Sequence, residues 1–375
     1  MSPADQFHVP DGIYLLSHSV GCMPLAAAQT LNETYLSAWR EKGGDAWPAW
    51  LGLIDDFCGE AARLLGGRAD DYCPQANLSS ALVKYLGTLP GDGTRKKVVM
   101  HADAFPSLGF AVHALSPDGF DLHLIGAGQD AADPAVWEDA LDGDTVAAVI
   151  THVHSNTGVM APVRDIAALC RARGVAAIVD IAQSAGIVPV DVASWDADAV
   201  LGSCVKWLCG GPGAGFMWVS PDTVSTLRPR DVGWFSHEDP FEFDIKDFRY
   251  APGAKRFWGG TPSIAPFACA LGALRVLNTI GIPHIRTHNR ALSAHVLDAV
   301  ANRLPHGPDP DKTGGTLCLT FDRDTADRAA DRLGARGCRF DRRGDTLRLS
   351  FHIYNTEEDA LLIGDTLSRA VRQPE

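Results

Sequence analysis

Through most of the first 220 residues, short apolar runs alternate with longer amphipathic segments. Runs at Lys97–Met100, Asp121–Ile125, Val146–Thr151, Ala176–Ile181, Ala199–Gly202 and Gly215–Val219 have the length and spacing of strands. Between them, Leu78–Leu86, Pro106–Ala114, Pro134–Leu141 and Pro162–Arg173 carry helical periodicity. Three of these helices open on a proline, whose missing N–H costs nothing in a first turn. Such alternation predicts an α/β unit with a mostly parallel, helix-covered sheet, which takes ligands at the carboxyl ends of its strands.

The spacing changes near residue 262. Ile264–Ile280 and His284–Arg303 read as long helices, followed by a strand (Thr316–Phe321), a helix (Asp324–Leu333), a strand (Thr346–Phe351) and a closing helix (Thr356–Val371). The chain therefore reads as a large domain over 1–262 and a smaller α+β C-terminal domain over 263–375. The stretch Arg228–Gly260, rich in Pro, Gly and aromatic residues without periodicity, reads as a functional loop.

Composition narrows the function classes. The 375 residues hold 33 Lys+Arg against 46 Asp+Glu, a net charge of −13, which disfavours nucleic acid and anionic membrane as partners. The apolar runs Val146–Ile150 and Val175–Val179 are far too short to cross a bilayer. Met1–Pro10 has neither a basic nor an apolar signal region, so a cytoplasmic location is expected. Nine cysteines, an odd number without a CxxC pair, fit reduced buried thiols, and no cluster has metal-ligand spacing.

The candidate chemistry centres on two strand ends. Asp180 closes the run Val175–Val179, and Lys206 follows Ala199–Gly202 among Val205, Trp207 and Leu208. Apolar surroundings lower the pKa of a lysine and make its amine nucleophilic. Pyridoxal phosphate needs a lysine for its Schiff base and an acid for its pyridine nitrogen. On spacing alone, a buried structural salt bridge between Asp180 and Lys206 fits equally well.

Three segments in order resemble the class V aminotransferase branch of fold-type I pyridoxal phosphate enzymes. They are "VDIAQSAGIVPVDV", "GSCVKWLCGGPGAGFMWV" and "LRLSFHIYNTEED". The resemblance implies Lys206 as the Schiff-base lysine beside Ser203, Asp180 facing the pyridine nitrogen, Gln183 contacting the cofactor, and Arg348 on the substrate α-carboxylate. Further segments resemble kynureninase. "IYLLSHSVGCMP" is similar to its Asn-Ser-Leu-Gly element, with Ser19 at the serine. "HADAFPSLGFAVHAL" implies Phe105 as the ring stacked on the cofactor, and "VGWFSHEDPFEFD" puts Trp234 and His237 on the substrate side. "ANLSSALVKYL" implies Leu78 and Ser79 as phosphate ligands, "RFWGGTPSI" sends Thr261 to the phosphate of the neighbouring subunit, and "HVHSNTGVM" places Asn156 beside the ring oxygen.

What the resemblance implies is a homodimer with active sites shared across the interface. The expected reaction is kynureninase-like hydrolysis of a Cβ–Cγ bond in an L-amino acid. Transamination, epimerisation, β-elimination or desulfuration on another amino acid is the alternative, and an inactive binding protein of the same fold a distant one. Val205 stands where kynureninases carry a tyrosine, Gln183 where they carry histidine, and Leu108 where they carry aspartate. The candidate for a desulfurase nucleophile, Cys338, falls where a packed strand residue is expected.

Overall fold

The computed structural model describes residues 2–90, 94–301, 304 and 308–371. Seven strands form the main sheet: β1 (Tyr72–Gln75), β2 (Lys97–His101), β3 (Asp121–Ile125), β4 (Thr145–Thr151), β5 (Ala176–Asp180), β6 (Ala199–Ser203) and β7 (Gly215–Val219). Their order across the sheet is β1-β7-β6-β5-β4-β2-β3. Strands β3, β2, β4, β5 and β6 run parallel, while β7 is antiparallel to both β6 and β1. The expected mixed, mostly parallel sheet is therefore present. All seven residues of the central strand β4 are buried, as a strand covered on both faces requires.

Alternation along the strands divides the interior. Ala148 and Ile150 of β4 join Val99 of β2 in one core, and Ala147 and Val149 join Val98 and Met100 in another, on the opposite face. Helix α1 (Trp47–Leu65) contributes Leu53, Ile54, Phe57, Cys58, Ala61 and Leu65 to the first core at helical spacing. The helix α2 (Leu78–Leu86) is capped by Asn77, whose side chain accepts from the Ser80 N–H at 2.8 Å. Helices α3 (Pro106–Ala114), α4 (Pro134–Ala140) and α5 (Val163–Ala172) match the sequence reading to within one residue at each end.

In the C-terminal part, α6 (Ala265–Ile280) and α7 (Ile282–Val300) replace the two expected long helices, and residues 302 and 303 of the second lie outside the described residues. Helix α6 packs into the main core, with Phe267 against Phe57 at 5.0 Å between rings. A third core gathers Leu292 and Val296 of α7 with strands β8 (Leu317–Thr320), β9 (Cys338–Arg339) and β11 (Thr346–Leu349), and with helices α8 (Arg323–Ala335) and α9 (Glu357–Val371); the charged strand β10 (Asp341–Arg343) lies beside it. Strands β8, β11 and β10 form an antiparallel sheet in that order, so β10 is an edge.

The N-terminal segment ties this part to the main sheet. Ile13–Tyr14 pairs in parallel with β9, Leu16 bridges to Ser350, and Leu15 is buried in the third core. A few residues on, the Gly21 N–H donates to the Val205 carbonyl at 2.9 Å. No single helix among the described residues is long and apolar enough to cross a membrane.

Candidate active site

The site forms where the parallel strands end. Asp180 is the last residue of β5, Lys206 lies three residues beyond β6, and Phe105 follows β2 as the residue before α3. Because β2, β4, β5 and β6 lie side by side, their carboxyl-end loops converge. The Lys206 Nζ stands 5.4 Å from the centroid of the Phe105 ring.

Asp180 is buried, and its Oδ1 accepts from the Ala182 N–H at 2.8 Å. Burial raises its carboxyl pKa, opposed by that N–H and by the charge of Lys206. Burial lowers the pKa of Lys206; Asp180 opposes the shift, and the cations Arg348 and Arg343 add to it. Among the described residues the ion pairs of this region run to Asp341, and none joins Asp180 to Lys206. The structural salt bridge that spacing left open is absent. A buried carboxyl facing a depressed lysine amine is an arrangement suited to chemistry.

Arg348, on β11, is buried; its Nη1 donates to the Ser155 carbonyl at 2.8 Å and its Nη2 to the carboxylate of Asp341. Its Nε has no hydrogen-bond partner among the described residues. Asn156, next to Ser155, accepts from Arg343. The sequence reading missed His18, Arg343 and Asp341. His18 is buried, its Nδ1 lies 2.6 Å from the Ser350 hydroxyl, and its Nε2 faces Asp341 at 3.5 Å. Burial first, then Arg348, Lys206 and Arg343, lowers its pKa to about 3. One signal was in reach: His18 occupies the asparagine position of the Asn-Ser-Leu-Gly element. Ser19, the residue chosen there, is exposed.

Other expected residues are placed with different partners. Both ends of the Gln183 amide are engaged, Nε2 with the His18 carbonyl and Oε1 with the Trp207 indole, each at 3.1 Å. Ser203 ends β6 opposite Gly215. Leu78 and Ser79 open α2, where the first N–H groups have no intrahelical acceptor and suit an anion. Trp234 donates from its indole to the Thr261 hydroxyl at 3.2 Å and packs on Trp47, Phe235, Phe241 and Phe243. His237 accepts the Asp239 N–H at Nδ1 at 3.0 Å and donates from Nε2 to the Asp247 carbonyl at 2.9 Å, holding its own loop. Among the described residues, no hydrogen bond, ion pair or ring contact joins this aromatic group to Lys206 within one chain.

Cys338 is buried in β9, and burial pushes its thiol up to about 11, as befits a packed residue. All nine cysteines are free, and no cluster of potential metal ligands occurs among the described residues. His101 and His152 have polar partners, whereas His154 is buried with neither ring nitrogen hydrogen-bonded among the described residues.

Comparison with known proteins agrees with this geometry. The family described as Aminotransferase class-V matches residues 93–362. This chain belongs to the class V aminotransferase family. It is 30% identical over 323 residues to an uncharacterized aminotransferase, YcbU, of Bacillus subtilis (strain 168), covering 84% of this chain and 83% of that protein. It is also 30% identical over 312 residues to the kynureninase of Pseudomonas fluorescens, covering 80% and 73%. Among solved structures, the cystine C–S lyase C-DES in complex with cysteine persulfide superimposes with a TM-score of 0.84 at 22% identity, covering 96% of this chain and 97% of that one. The apo cysteine desulfurase from Thermococcus onnurineus NA1 gives 0.81 at 20% identity, covering 96% and 95%. The fold is that of fold-type I enzymes, and the family member described here is a pyridoxal phosphate-dependent enzyme.

The residues present fit that cofactor. A half-exposed aromatic ring, a buried carboxyl with one donor, a lysine of lowered pKa and a capped helix start are the four contacts it requires.

Proposed function

We propose that this chain cleaves the Cβ–Cγ bond of a free L-amino acid of the kynurenine type by hydrolysis, as a homodimer. The observation carrying the reading is the convergence of Lys206, Phe105 and Asp180 at the carboxyl ends of the parallel strands, with Arg348 of β11 near Lys206. The kynureninase relative and the elements around Ser19, Phe105, Trp234 and Thr261 support the choice of substrate.

Pyridoxal phosphate, when bound, supplies an aldehyde that takes an amine and a ring that stores the electron pair released at the substrate. Asp180 would hold the ring nitrogen protonated, and its burial would keep water from competing. Phe105, Gln183, Ser203 and Asn156 would hold the cofactor ring in place. Leu78 and Ser79 hold the phosphate through the free N–H groups of α2. Arg348 orients the amino acid by its carboxylate, which fixes the α-hydrogen toward Lys206. The Lys206 amine, with its lowered pKa, takes the proton from the α-carbon.

The dimer reading draws on exposed apolar residues of the loop after Trp234, where Phe243 is 75% and Ile245 97% exposed. In the dimer, Thr261 serves the neighbouring subunit's phosphate, and Trp234 and His237 line the substrate side. Sedimentation velocity of the wild type and of Ile245→Asp tests this part: a dimer that dissociates in the variant agrees, and a monomeric wild type refutes it.

One observation favours a second reading. Val205, whose carbonyl accepts from the Gly21 N–H, offers no hydroxyl beside Lys206 to return a proton after Cβ–Cγ cleavage. β-Elimination from a sulfur-bearing amino acid does not need that donor. Mixing the holoenzyme in turn with kynurenine, 3-hydroxykynurenine, cysteine and alanine separates the readings. Anthranilate from kynurenine upholds the first; sulfide and pyruvate from cysteine, with no anthranilate, replace it with the second.

A further inference from the structure

Asp341 stands directly opposite Arg348 in the antiparallel pairing of β10 and β11. Residues so paired put their side chains on the same face of the sheet. The Asp341 carboxylate accepts from Nη2 of Arg348, and lies 3.5 Å from Nε2 of His18 and 4.0 Å from Nε of Arg343. One donor, Arg348, thus holds this carboxylate, while His18 and Arg343 approach it without a hydrogen bond.

The two partners differ in freedom. The Arg348 side chain is 4% exposed and is pinned through Nη1 to the Ser155 carbonyl. The Asp341 side chain is 32% exposed and sits on the edge strand. A guanidinium takes a carboxylate in a fork of two N–H groups. On the side of Arg348 formed by Nε and Nη2, Nε is without a partner and Nη2 is held by Asp341. A carboxylate seeking that fork finds half of it taken and a like charge beside it.

We infer that Asp341 is a built-in competitor for the carboxylate site of Arg348, an autoinhibitory contact displaced when an amino acid binds. The inference rests on the assignment of Arg348 to the substrate carboxylate made above. An amino acid anchored only by its carboxylate and amine must evict Asp341 with little else to hold it. A substrate with a large side chain adds contacts elsewhere and evicts Asp341 more readily. Asp341 therefore weakens every carboxylate ligand of Arg348, and binding requires contacts elsewhere that make up the difference.

Calorimetric titration of the holoenzyme with propanoate, an unreactive carboxylate without an amine, reads the competition directly. Asp341→Asn, nearly isosteric, binds propanoate about tenfold tighter than the wild type, the factor one such contact carries. Asp341→Ser, at the same partly exposed edge position, gives the same direction and serves should the first variant fold poorly. Arg348→Gln abolishes binding in either background. Unchanged or weaker binding in the Asp341 variants, with the dependence on Arg348 intact, overturns the inference alone. Binding that survives Arg348→Gln overturns the assignment of Arg348 as well. The visible absorbance of the same samples reports separately whether the cofactor is held.

Discussion

The His18 Nδ1 lies 2.6 Å from the hydroxyl of Ser350, two residues beyond Arg348 on the same chain. Ser17 and Tyr354 meet alongside, with their hydroxyls 2.6 Å apart, and the Ser350 N–H donates to the Leu15 carbonyl at 3.1 Å. The N-terminal segment is thus fastened to the residues around Arg348 before it passes Lys206. Replacing His18 by alanine removes the Ser350 contact and one of the groups facing Asp341. It is expected to destabilise the fold by about 1–3 kcal/mol. Denaturant unfolding measures that loss, and a rise in KM larger than the fall in kcat identifies the effect on substrate seating.

Lys206→Ala tests the central chemical assignment. The variant is expected to fold, to lose the covalent cofactor absorbance, and to turn over its substrate about 10²–10⁴-fold more slowly. A variant that keeps the wild-type spectrum after gel filtration contradicts the assignment.

Gly21 is a close-approach position. A Cβ there would lie 2.2 Å from the Lys206 carbonyl oxygen and 2.6 Å from the Cys209 Sγ. Backbone on one side and a buried thiol on the other leave little room to yield. Gly21→Ala is expected to lose about 1–3 kcal/mol through overpacking and to displace the turn that carries Lys206. The melting temperature of the apo protein reads the first effect, and the cofactor dissociation constant reads the second.

Acid is expected to unfold this protein through histidines held neutral. Burial lowers the pKa of His152, His154 and His352 to about 4, and of His18 to about 3, from an ordinary 6.5. Between those values and 6.5 the unfolded chain binds more protons than the folded one, so stability is full above pH 6.5 and falls as the pH drops. Each fully buried ring contributes on the order of 3 kcal/mol to that fall. Melting curves from pH 7.5 to pH 4.5 should show a steep decline, shallower in His152→Gln. A flat profile across that range contradicts the argument.

Much of this was legible in the residues. The parallel strands read as short apolar runs and helices α2 to α5 as helical patterns, and the structure reproduces them with shifts of about a residue at their ends. Strand β1 and helix α1 were not read. Tyr72–Gln75 is four residues long and contains a proline, tolerable only because it is the edge strand beside β7. Helix α1 begins in a run of Gly, Trp and Pro that masks its start.

Within the site, Lys206, Asp180 and Arg348 were readable because a lysine in an apolar run, an acid at a strand end and an arginine in a buried strand are locally anomalous. His18, Arg343 and Asp341 are ordinary in their local settings. His18 and Asp341 are 323 positions apart, and the pairing of the N-terminal segment with β9 and with Ser350 brings them to 3.5 Å.

The sequence by itself determined the family and most of the succession of strands and helices, since those demands act on short segments. Tertiary structure alone decided which groups surround Arg348, because facing side chains across a sheet edge and burying an N-terminal segment against it are long-range packing events. Local periodicity holds no record of them.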